Sequence, residues 1–449
     1  MTAVDLRSAV ALAKAVLSGR HTARAATEAA LSAVAARNGA LNAFVSVDAV
    51  AARAAADTVD LLLQAGADLP LAGVPIAVKD TLWVRGQGAT QGSRLFADFV
   101  APADALAIGR LRRAGAVVIG KTNTSEFACK GNTTNLLYGP TRHPRDAGLT
   151  PGGSSGGSAV AVAAGMVPLA LGTDAGGSSR RPPAHVGAVG FKPSLAAVPY
   201  GPGFREALQS ISCLCPIANS VADVALAFAV MAARPAEVAS AAARPLRIAH
   251  APCFGMAAVV DPNIAALVAH AVTIMGQLGF AVERADPPWP EGLSEATLMP
   301  LQHAGLAALY GEVFRRTPDL FDPDIAAQIE RGLCLSGADV ALALIRSAEV
   351  AQALAGFFLD FDLLVGPTVP CFAWPIGQLG PAHIAGQAVT PRAHAAFTPL
   401  FNHARVPAIS LPCGDGPGGL PAGLQIVAAE GQDSLLLGCA AQIERALAL

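Results

Sequence analysis

The sequence predicts an α/β protein in which a largely buried β-sheet is covered by helices on both faces. Short apolar, β-branched runs alternate with longer helical patterns along the 449 residues. Continuously apolar strands are typical of a sheet that is buried on both faces, because an exposed face would produce an alternating pattern. No proline- or serine-rich linker, charge block or internal repeat divides the chain, so we expect a single domain over residues 1–449.

The predicted elements follow one another in a consistent order. Residues 7–18, 23–36 and 49–65 form helical patterns, with Thr22 as a plausible N-cap of the second. Consecutive helices are predicted for residues 291–360, and we expect them to form a cap-like insertion over one end of the sheet. The predicted strands are Val74–Val78, Ala116–Ile119, Pro168–Thr173, Val186–Phe191, Leu246–Ala249, Leu363–Val365, Ala408–Leu411 and Leu424–Val427.

Composition argues against several classes of partner. The net charge is −2 and only 14% of residues are charged, so nothing indicates binding to nucleic acid or to an anionic membrane. The longest apolar run, residues 159–171, is interrupted by Gly165 and Pro168 and is too short to span a bilayer.

The cysteines and the N-terminus indicate the cellular compartment. The eight cysteines are spread singly, except for the pair at 213 and 215, without the spacing of a zinc site. Charged residues at positions 5, 7 and 14 interrupt the N-terminal helical pattern, which therefore differs from an export signal. We expect free thiols and a cytoplasmic location.

Two glycine- and serine-rich segments, Gly152–Ser158 and Gly176–Ser179, are the most informative feature of the chain. Glycines on both sides of a serine allow a tight turn, which brings backbone N–H groups close to a reacting carbonyl. Flexible linkers have a similar composition, but the apolar runs Ser158–Gly165 and Val167–Leu171 flank these segments. The pattern therefore favours an oxyanion-binding nucleophile site over a linker.

Lys79 follows directly on the predicted strand that begins at Val74. Arginine accounts for 26 of the 31 basic residues, and four of the five lysines fall between positions 79 and 192. A buried lysine can lose its proton and an arginine cannot, so Lys79 is a candidate general base. The alternative, that such lysines cap helices or hold loops, is the one we favour for Lys121 and Lys192.

The acidic neighbour Asp80 would keep Lys79 charged if the two side chains faced the same pocket. Successive side chains of a strand point to opposite faces. We therefore expect the Asp80 side chain to turn away from that of Lys79.

Together these segments resemble the amidase signature family. The resemblance continues in family order through most of the chain, but residues from about 234 to 355 carry no matching motif. It implies a large mixed β-sheet between helices and an amidohydrolase that needs neither metal nor cofactor. The segments that carry it are Gly73–Lys79, Gly139–Arg142, Thr150–Ser158, Gly172–Ser178, Gly190–Pro193, Pro216–Ala218, Phe361–Thr368, Pro407–Gly414 and Gly419–Ile426.

The same resemblance implies a role for each residue of the site. Ser178 is the expected nucleophile, Ser154 the bridging serine and Lys79 the base, with Ser154 passing the proton between the other two. The peptide bond before the bridging serine, Gly153–Ser154, is expected to be cis. The amides expected to bind the oxyanion belong to Ala175, Gly176, Gly177 and Ser178.

The serine turns and the histidines can also be compared with the motifs of other enzyme classes. The pattern Gly152-x-Ser154-x-Gly156 fits the nucleophile elbow of α/β-hydrolases, which would make Ser154 the nucleophile. That elbow follows directly on a strand, whereas residues 145–151 are polar and broken by glycine and proline. Neither turn contains Ser-x-x-Lys, no phosphate-binding Gly-x-x-x-x-Gly-Lys pattern occurs, and the nine histidines lack metal-ligand spacing.

Four residues are expected to contact the substrate: Arg180, Arg181, Phe127 and Cys129. An arginine three positions after the nucleophile resembles family members that hydrolyse amides bearing a free carboxylate, which a guanidinium binds bidentately. The alternative for Arg181 is a structural salt bridge.

The sequence thus predicts hydrolysis of a small primary amide, either carboxylate-bearing or urea-like, with an acyl-enzyme on Ser178 and release of ammonia. The alternative is a glutamine-hydrolysing A-type subunit of a tRNA-dependent amidotransferase complex, because such subunits share this core. The expected partner is the small-molecule substrate, with no nucleic acid or membrane, and a homodimer is a possible assembly. A non-catalytic binding protein would have no need of Lys79, Ser154 and Ser178 together.

Overall fold

A computed structural model describes residues 3–208, 210–234 and 245–447. At its centre is an 11-stranded sheet with the order β1-β3-β2-β4-β6-β5-β12-β13-β9-β7-β8, and β10 and β11 form a separate two-stranded ribbon. The strands are β1 (Phe44–Val47), β2 (Pro75–Lys79), β3 (Val117–Thr122), β4 (Leu169–Asp174), β5 (Val189–Lys192), β6 (Cys213–Ala218), β7 (Arg247–His250), β8 (Ala281–Arg284), β9 (Leu363–Pro367), β10 (His383–Ile384), β11 (Gln387–Ala388), β12 (Ala408–Asp415) and β13 (Pro421–Ala428).

Helices cover the sheet. Thr22 caps α2 by accepting a hydrogen bond from the backbone of Ala25, as predicted. The helices are α1 (Ala9–Leu17), α2 (Ala23–Leu41), α3 (Ala49–Gln64), α4 (Leu106–Arg113), α5 (Gly156–Ala163), α6 (Arg181–Val186), α7 (Val221–Ala232), α8 (Pro262–Gln277), α9 (Glu295–Leu298), α10 (Pro300–Arg316), α11 (Pro323–Leu333), α12 (Gly337–Phe357), α13 (Leu400–His403) and α14 (Asp433–Leu447).

The sheet is mixed, which confirms the predicted fold class. Strand β2 runs parallel to both β3 and β4, and β7 runs parallel to β8 and β9. The remaining pairs are antiparallel. Alternate residues of β2 enter different cores: Ile76 and Val78 pack into one apolar cluster, and Ala77 packs into another. Both faces of the sheet are therefore buried, which explains the continuously apolar strands.

Sequence patterns missed three strands of the sheet and misplaced the start of another. Strands β1, β6 and β8 were not predicted. The predicted strand over 186–191 begins only at Val189, because helix α6 runs through Val186 and ends at Gly187 in the left-handed conformation (φ 81°). The end of a short buried helix and the start of a buried strand are both short apolar runs, so hydrophobic periodicity cannot distinguish them.

Helices α9 to α12 follow one another between residues 295 and 357, as predicted. Leu306, Tyr310 and Ile325 from this group pack with Phe127 and Cys129, so the helices cover the loop that follows β3. Among the described helices, only α12 is long and apolar enough to cross a membrane by length and composition, a test that core helices of soluble proteins also pass. The expected absence of a membrane partner, the cytoplasmic location and the single-domain organisation stay predictions.

Candidate active site

The site forms where β2 and β4 end side by side. The two strands are parallel, with Val78 opposite Leu171, so their carboxyl ends reach the same edge of the sheet. Lys79 is the last residue of β2, and the chain after β4 forms the turn that carries Ser178. The turn with Ser154 lies just before α5, which packs on β4 and β2. The topology thus brings together three residues that are up to 99 positions apart in the sequence.

The side-chain nitrogen of Lys79 lies among three hydroxyl groups. Its Nζ atom is 2.8 Å from Oγ of Ser154, 2.9 Å from Oγ of Ser155 and 2.9 Å from Oγ1 of Thr173. The Gly153–Ser154 peptide bond is cis, as the resemblance implied. Lys79 and Ser154 are fully buried. The structure therefore places the predicted base and the predicted bridging serine in direct contact.

At two positions in these turns, only glycine avoids a steric clash with a neighbouring segment. A Cβ atom on Gly153 would lie 2.5 Å from the backbone oxygen of Asn132. Gly177 has a φ of +111°, and a Cβ atom there would lie 2.1 Å from Oγ1 of Thr398. Neither turn could approach its neighbour this closely with a larger residue.

Burial lowers the pKa of Lys79 to about 8, because water is excluded from the charged form. The negative charges of Glu206 and Asp174 act in the opposite direction. Asp80 turns away, as expected: its Oδ1 lies 3.8 Å from Nζ of Lys121, and its Oδ2 accepts a hydrogen bond from Thr90. A substantial fraction of Lys79 is consequently neutral near pH 8 and able to accept a proton.

Arg180 is part of the scaffold, which corrects the prediction that it contacts substrate. Its side chain is fully buried in an ion pair with Asp174, at 2.9 Å. It also donates to Oε1 of Gln425 and Oδ1 of Asn402. With its donors occupied by these partners, Arg180 is held in place behind the nucleophile turn.

Asp174 links this scaffold to the turn. Although burial opposes ionisation, Arg180 and the neighbouring amides hold the pKa of Asp174 well below its ordinary value. The carboxylate accepts from the backbone N–H of Gly177 at 2.7 Å and from that of Ser179 at 3.1 Å. The Gly177 amide is thus already occupied, which corrects its assignment to the oxyanion hole.

Three amides remain for the oxyanion. Ala175, Gly176 and Ser178 line the cavity next to the nucleophile turn. Within the described part of the chain, no backbone acceptor is bonded to the N–H groups of these three residues. They are therefore free to donate to a developing negative charge.

No direct hydrogen bond joins the hydroxyls of Ser178 and Ser154 among the described residues, although Ser178 O accepts from the backbone of Ser155 at 3.3 Å. Catalytic hydrogen bonds often form fully only when substrate is bound. Of these two serines, Ser178 is 6% exposed and lines the cavity, whereas Ser154 is completely enclosed. This arrangement favours Ser178 as the group that meets a substrate carbonyl, and it disfavours the nucleophile elbow with Ser154.

A cavity of about 50 Å³ lies against Ser178. Phe127, Cys129 and Arg181, all expected to contact substrate, line it. Phe127 stacks on Tyr310 with ring centroids 4.1 Å apart. Burial raises the pKa of the Cys129 thiol to about 12, so this cysteine is a neutral wall residue.

Arg181 is buried, and among the described residues no carboxylate is in contact with it. Its Nη1 contacts Nδ1 of His394 at 3.2 Å, its Nε has no hydrogen-bond partner, and no salt bridge to it occurs among the described residues. Burial, together with the nearby charge of Arg392, lowers the pKa of Arg181 to about 9. The salt bridge considered as the alternative role of Arg181 is therefore absent from the described part of the structure.

Several residues of the site were missed by the sequence patterns. Ser155 and Thr173 contact Lys79, and both lie inside matched motifs, so attention to every hydroxyl there would have found them. Glu206 and Arg392 line the cavity but lie in segments without a recognisable pattern. Arg392 forms an ion pair with Glu295.

A larger cavity of about 480 Å³ adjoins the first. Ala175, Gly176, Leu208, Gln302 and Arg392 line both. Its other walls are mainly apolar residues of 256–259, 293–299 and 384–400. Among the described residues, no group of three or more histidine, cysteine, aspartate or glutamate side chains is placed to hold a metal ion.

A model of the amidase family matches residues 25–437. The chain belongs to the amidase signature family. An acylamidase of Rhodococcus erythropolis is 34% identical over 97% of this chain and 94% of that protein. The A-type subunit of glutamyl-tRNA(Gln) amidotransferase from Synechococcus sp. (strain CC9311) is 35% identical over 95% of this chain and 94% of that protein.

Solved structures agree with this membership. This amidase resembles 6-aminohexanoate cyclic dimer hydrolase with a TM-score of 0.87 and 30% identity, over 99% of this chain and 98% of that one. It also resembles a bacterial aryl acylamidase of the same family with a TM-score of 0.89 and 27% identity, over 99% and 97% of the two chains. The chain is thus an amidase-family hydrolase, and its relatives include both acylamidases and amidotransferase subunits.

Proposed function

We propose that this amidase hydrolyses a small primary amide that carries a carboxylate, through an acyl-enzyme on Ser178, with release of ammonia. The observation that carries the substrate class is the buried guanidinium of Arg181, which shares a cavity with Ser178 and has no carboxylate partner among the described residues. An uncompensated buried charge is costly, and a substrate carboxylate would compensate it.

The proposed reaction begins with proton transfer away from the nucleophile. Ser178 passes its proton to Ser154 as Ser154 passes its own to neutral Lys79, and Oγ of Ser178 forms a bond to the amide carbon. The carbonyl oxygen becomes an oxyanion near the amides of Ala175, Gly176 and Ser178. The C–N bond then breaks, Ser154 returns a proton to the nitrogen, and ammonia leaves. Water attacks the resulting ester by the same proton route and releases the acid.

The position of Lys79 supports this route because all three of its polar neighbours are hydroxyl groups. A hydroxyl can donate to a neutral amine or accept from an ammonium ion. Lys79 can therefore change protonation state without leaving any of these neighbours unsatisfied.

A second candidate is the glutamine-hydrolysing component of an amidotransferase complex. Relatives named as amidotransferase subunits of this type, at 32–35% identity, favour it. Ammonia release by the purified chain on its own would support the stand-alone hydrolase, whereas activity only after addition of a partner protein would support the complex.

The substrate class is tested with a matched pair, succinamate and its neutral isostere 4-oxopentanamide. We expect wild type to prefer succinamate and Arg181→Ala to lose roughly 10- to 150-fold in kcat/KM on succinamate only, since hydrogen bonds to charged groups contribute about 1.5–3 kcal/mol. A serine-reactive phosphonate should label Ser178 in wild type and in Arg181→Ala, but not the Ser178→Ala protein. Equal losses on both amides would make Arg181 structural, and labelling of Ser154 would overturn the nucleophile assignment.

A further inference from the structure

The cavity at Ser178 also contains a carboxylate, that of Glu206. One of its oxygens, Oε2, accepts a hydrogen bond from Oγ of Ser212 at 2.8 Å, and the other accepts from the hydroxyl of Tyr200. These two neutral donors orient the carboxylate. An ionised carboxylate can accept about four hydrogen bonds, so each oxygen retains capacity for a further donor.

Glu206 has no counter-ion in contact. No salt bridge to it occurs among the described residues, and the charge of Lys79 reaches it only at longer range. Burial raises the pKa of this carboxyl because water is partly excluded from its charged form. A ligand group with an N–H bond would supply the missing donor.

Glu206 and Arg181 line the same small cavity without forming a salt bridge to each other. The same cavity is also lined by Arg392, which differs from Arg181 because it is in contact with a carboxylate, that of Glu295. The cavity that contains Ser178 therefore presents one anion and one cation, neither of which is in contact with a counter-ion among the described residues. A complementary ligand carries an anionic group and, separately, an N–H donor.

We propose that Glu206 binds an N–H donor of the substrate, so that the preferred substrate is a carboxylate-bearing amide with an additional ureido or amino nitrogen. This inference rests on the proposed function and narrows its substrate class. Glu206 becomes a specificity-determining residue that acts together with Arg181.

Three amides with the same skeleton test the proposal. Succinamate supplies the amide and the carboxylate. Hydantoate replaces its CH₂ next to the amide by N–H, and L-asparagine adds an amino group beside the carboxylate. The first replacement turns the reacting amide into a urea and probes a ureido donor, and the second probes an amino donor, while the carboxylate stays in place.

Glu206→Gln keeps the size of the side chain but removes the negative charge, and it replaces one acceptor oxygen by an N–H₂ donor, so that one of the two hydroxyl contacts must reverse its direction. We expect it to reduce kcat/KM for hydantoate or L-asparagine by about tenfold or more relative to succinamate. Any effect of the substitution on Lys79 would change the rates of all three substrates alike. Dividing by the rate on succinamate removes that common change. The control variant Ser212→Ala removes an orienting hydroxyl, keeps the carboxylate, and should change the ratio by only a few fold.

Binding to the Ser178→Ala protein provides a measurement that needs no turnover. Calorimetric titration should show tighter binding of one nitrogen-bearing ligand than of succinamate, and Glu206→Gln should remove that difference. Equal affinities before and after this substitution, or no binding of any of the three ligands, would overturn the role of Glu206. The proposed function is judged separately, by ammonia release from succinamate.

Discussion

Two buried lysines on neighbouring strands, Lys79 on β2 and Lys121 on β3, have different surroundings. Both are fully buried, and burial lowers the pKa of each to about 8. Lys79 meets three hydroxyl groups. Lys121 donates to the backbone oxygen of Leu82 and, at 3.4 Å, to that of Gly88, with Asp80 3.8 Å away.

The difference lies in what the neighbours can do with a proton. Carbonyl and carboxylate oxygens can only accept hydrogen bonds, so a neutral Lys121 would leave some of them short of a donor. Hydroxyls can also donate, so Lys79 is suited to both protonation states. Burial alone therefore does not identify a base; the chemistry of the neighbouring groups does.

The largest expected effect concerns Lys79. Lys79→Arg and Lys79→Met should each lower kcat/KM for ammonia release by roughly 10²- to 10⁴-fold, the usual contribution of a general base, since neither side chain can accept the proton. Steady-state kinetics measure the loss, and circular dichroism checks that the variants fold. The exposed Lys14→Arg is the matched control and should retain wild-type activity. An active Lys79→Arg protein would contradict the assignment.

Lys121 should show the opposite behaviour. Lys121→Met leaves the oxygens of Leu82 and Gly88 without their donor and Asp80 without its cation, so we expect a loss of about 3–5 kcal/mol in the free energy of unfolding. Urea unfolding measures that loss. The folded protein should keep kcat/KM within a few fold of wild type. A stable but inactive Lys121→Met protein would contradict the structural role of Lys121.

The smallest expected effect is on the pH dependence. In the proposed mechanism the neutral form of Lys79 is the active one, so kcat/KM should fall about tenfold per pH unit as the pH drops below the pKa of about 8. Thr173→Val removes one acceptor of the ammonium form. It should move the midpoint of the profile to lower pH by up to about one unit. A midpoint that moves upward, or a flat profile in wild type, would show that Lys79 does not control the rate.

The candidate site was largely predictable because its groups belong to compact local motifs. Two serine turns and a lysine after a buried strand pointed to Lys79, Ser154 and Ser178 as candidates, and the alternation of side chains along a strand correctly separated Asp80 from Lys79. The assignments of Arg180 and Gly177 were wrong because both depend on Asp174. The sequence shows that Asp174 lies a few positions before both residues, but it does not show which donors the Asp174 carboxylate accepts hydrogen bonds from.

The sequence by itself determined the fold class and the family and predicted the residues of the proposed proton route, because these depend on periodicity and short-range spacing. Only the tertiary structure decided which charges remain uncompensated in the cavity. Glu206, Arg181 and Arg392 come from three segments far apart in the chain, and the charge state of each depends on neighbours that folding supplies. Arg392 finds Glu295 nearby, whereas Arg181 and Glu206 find no counter-ion among the described residues. Substrate recognition therefore depends on long-range placement, which no local pattern encodes.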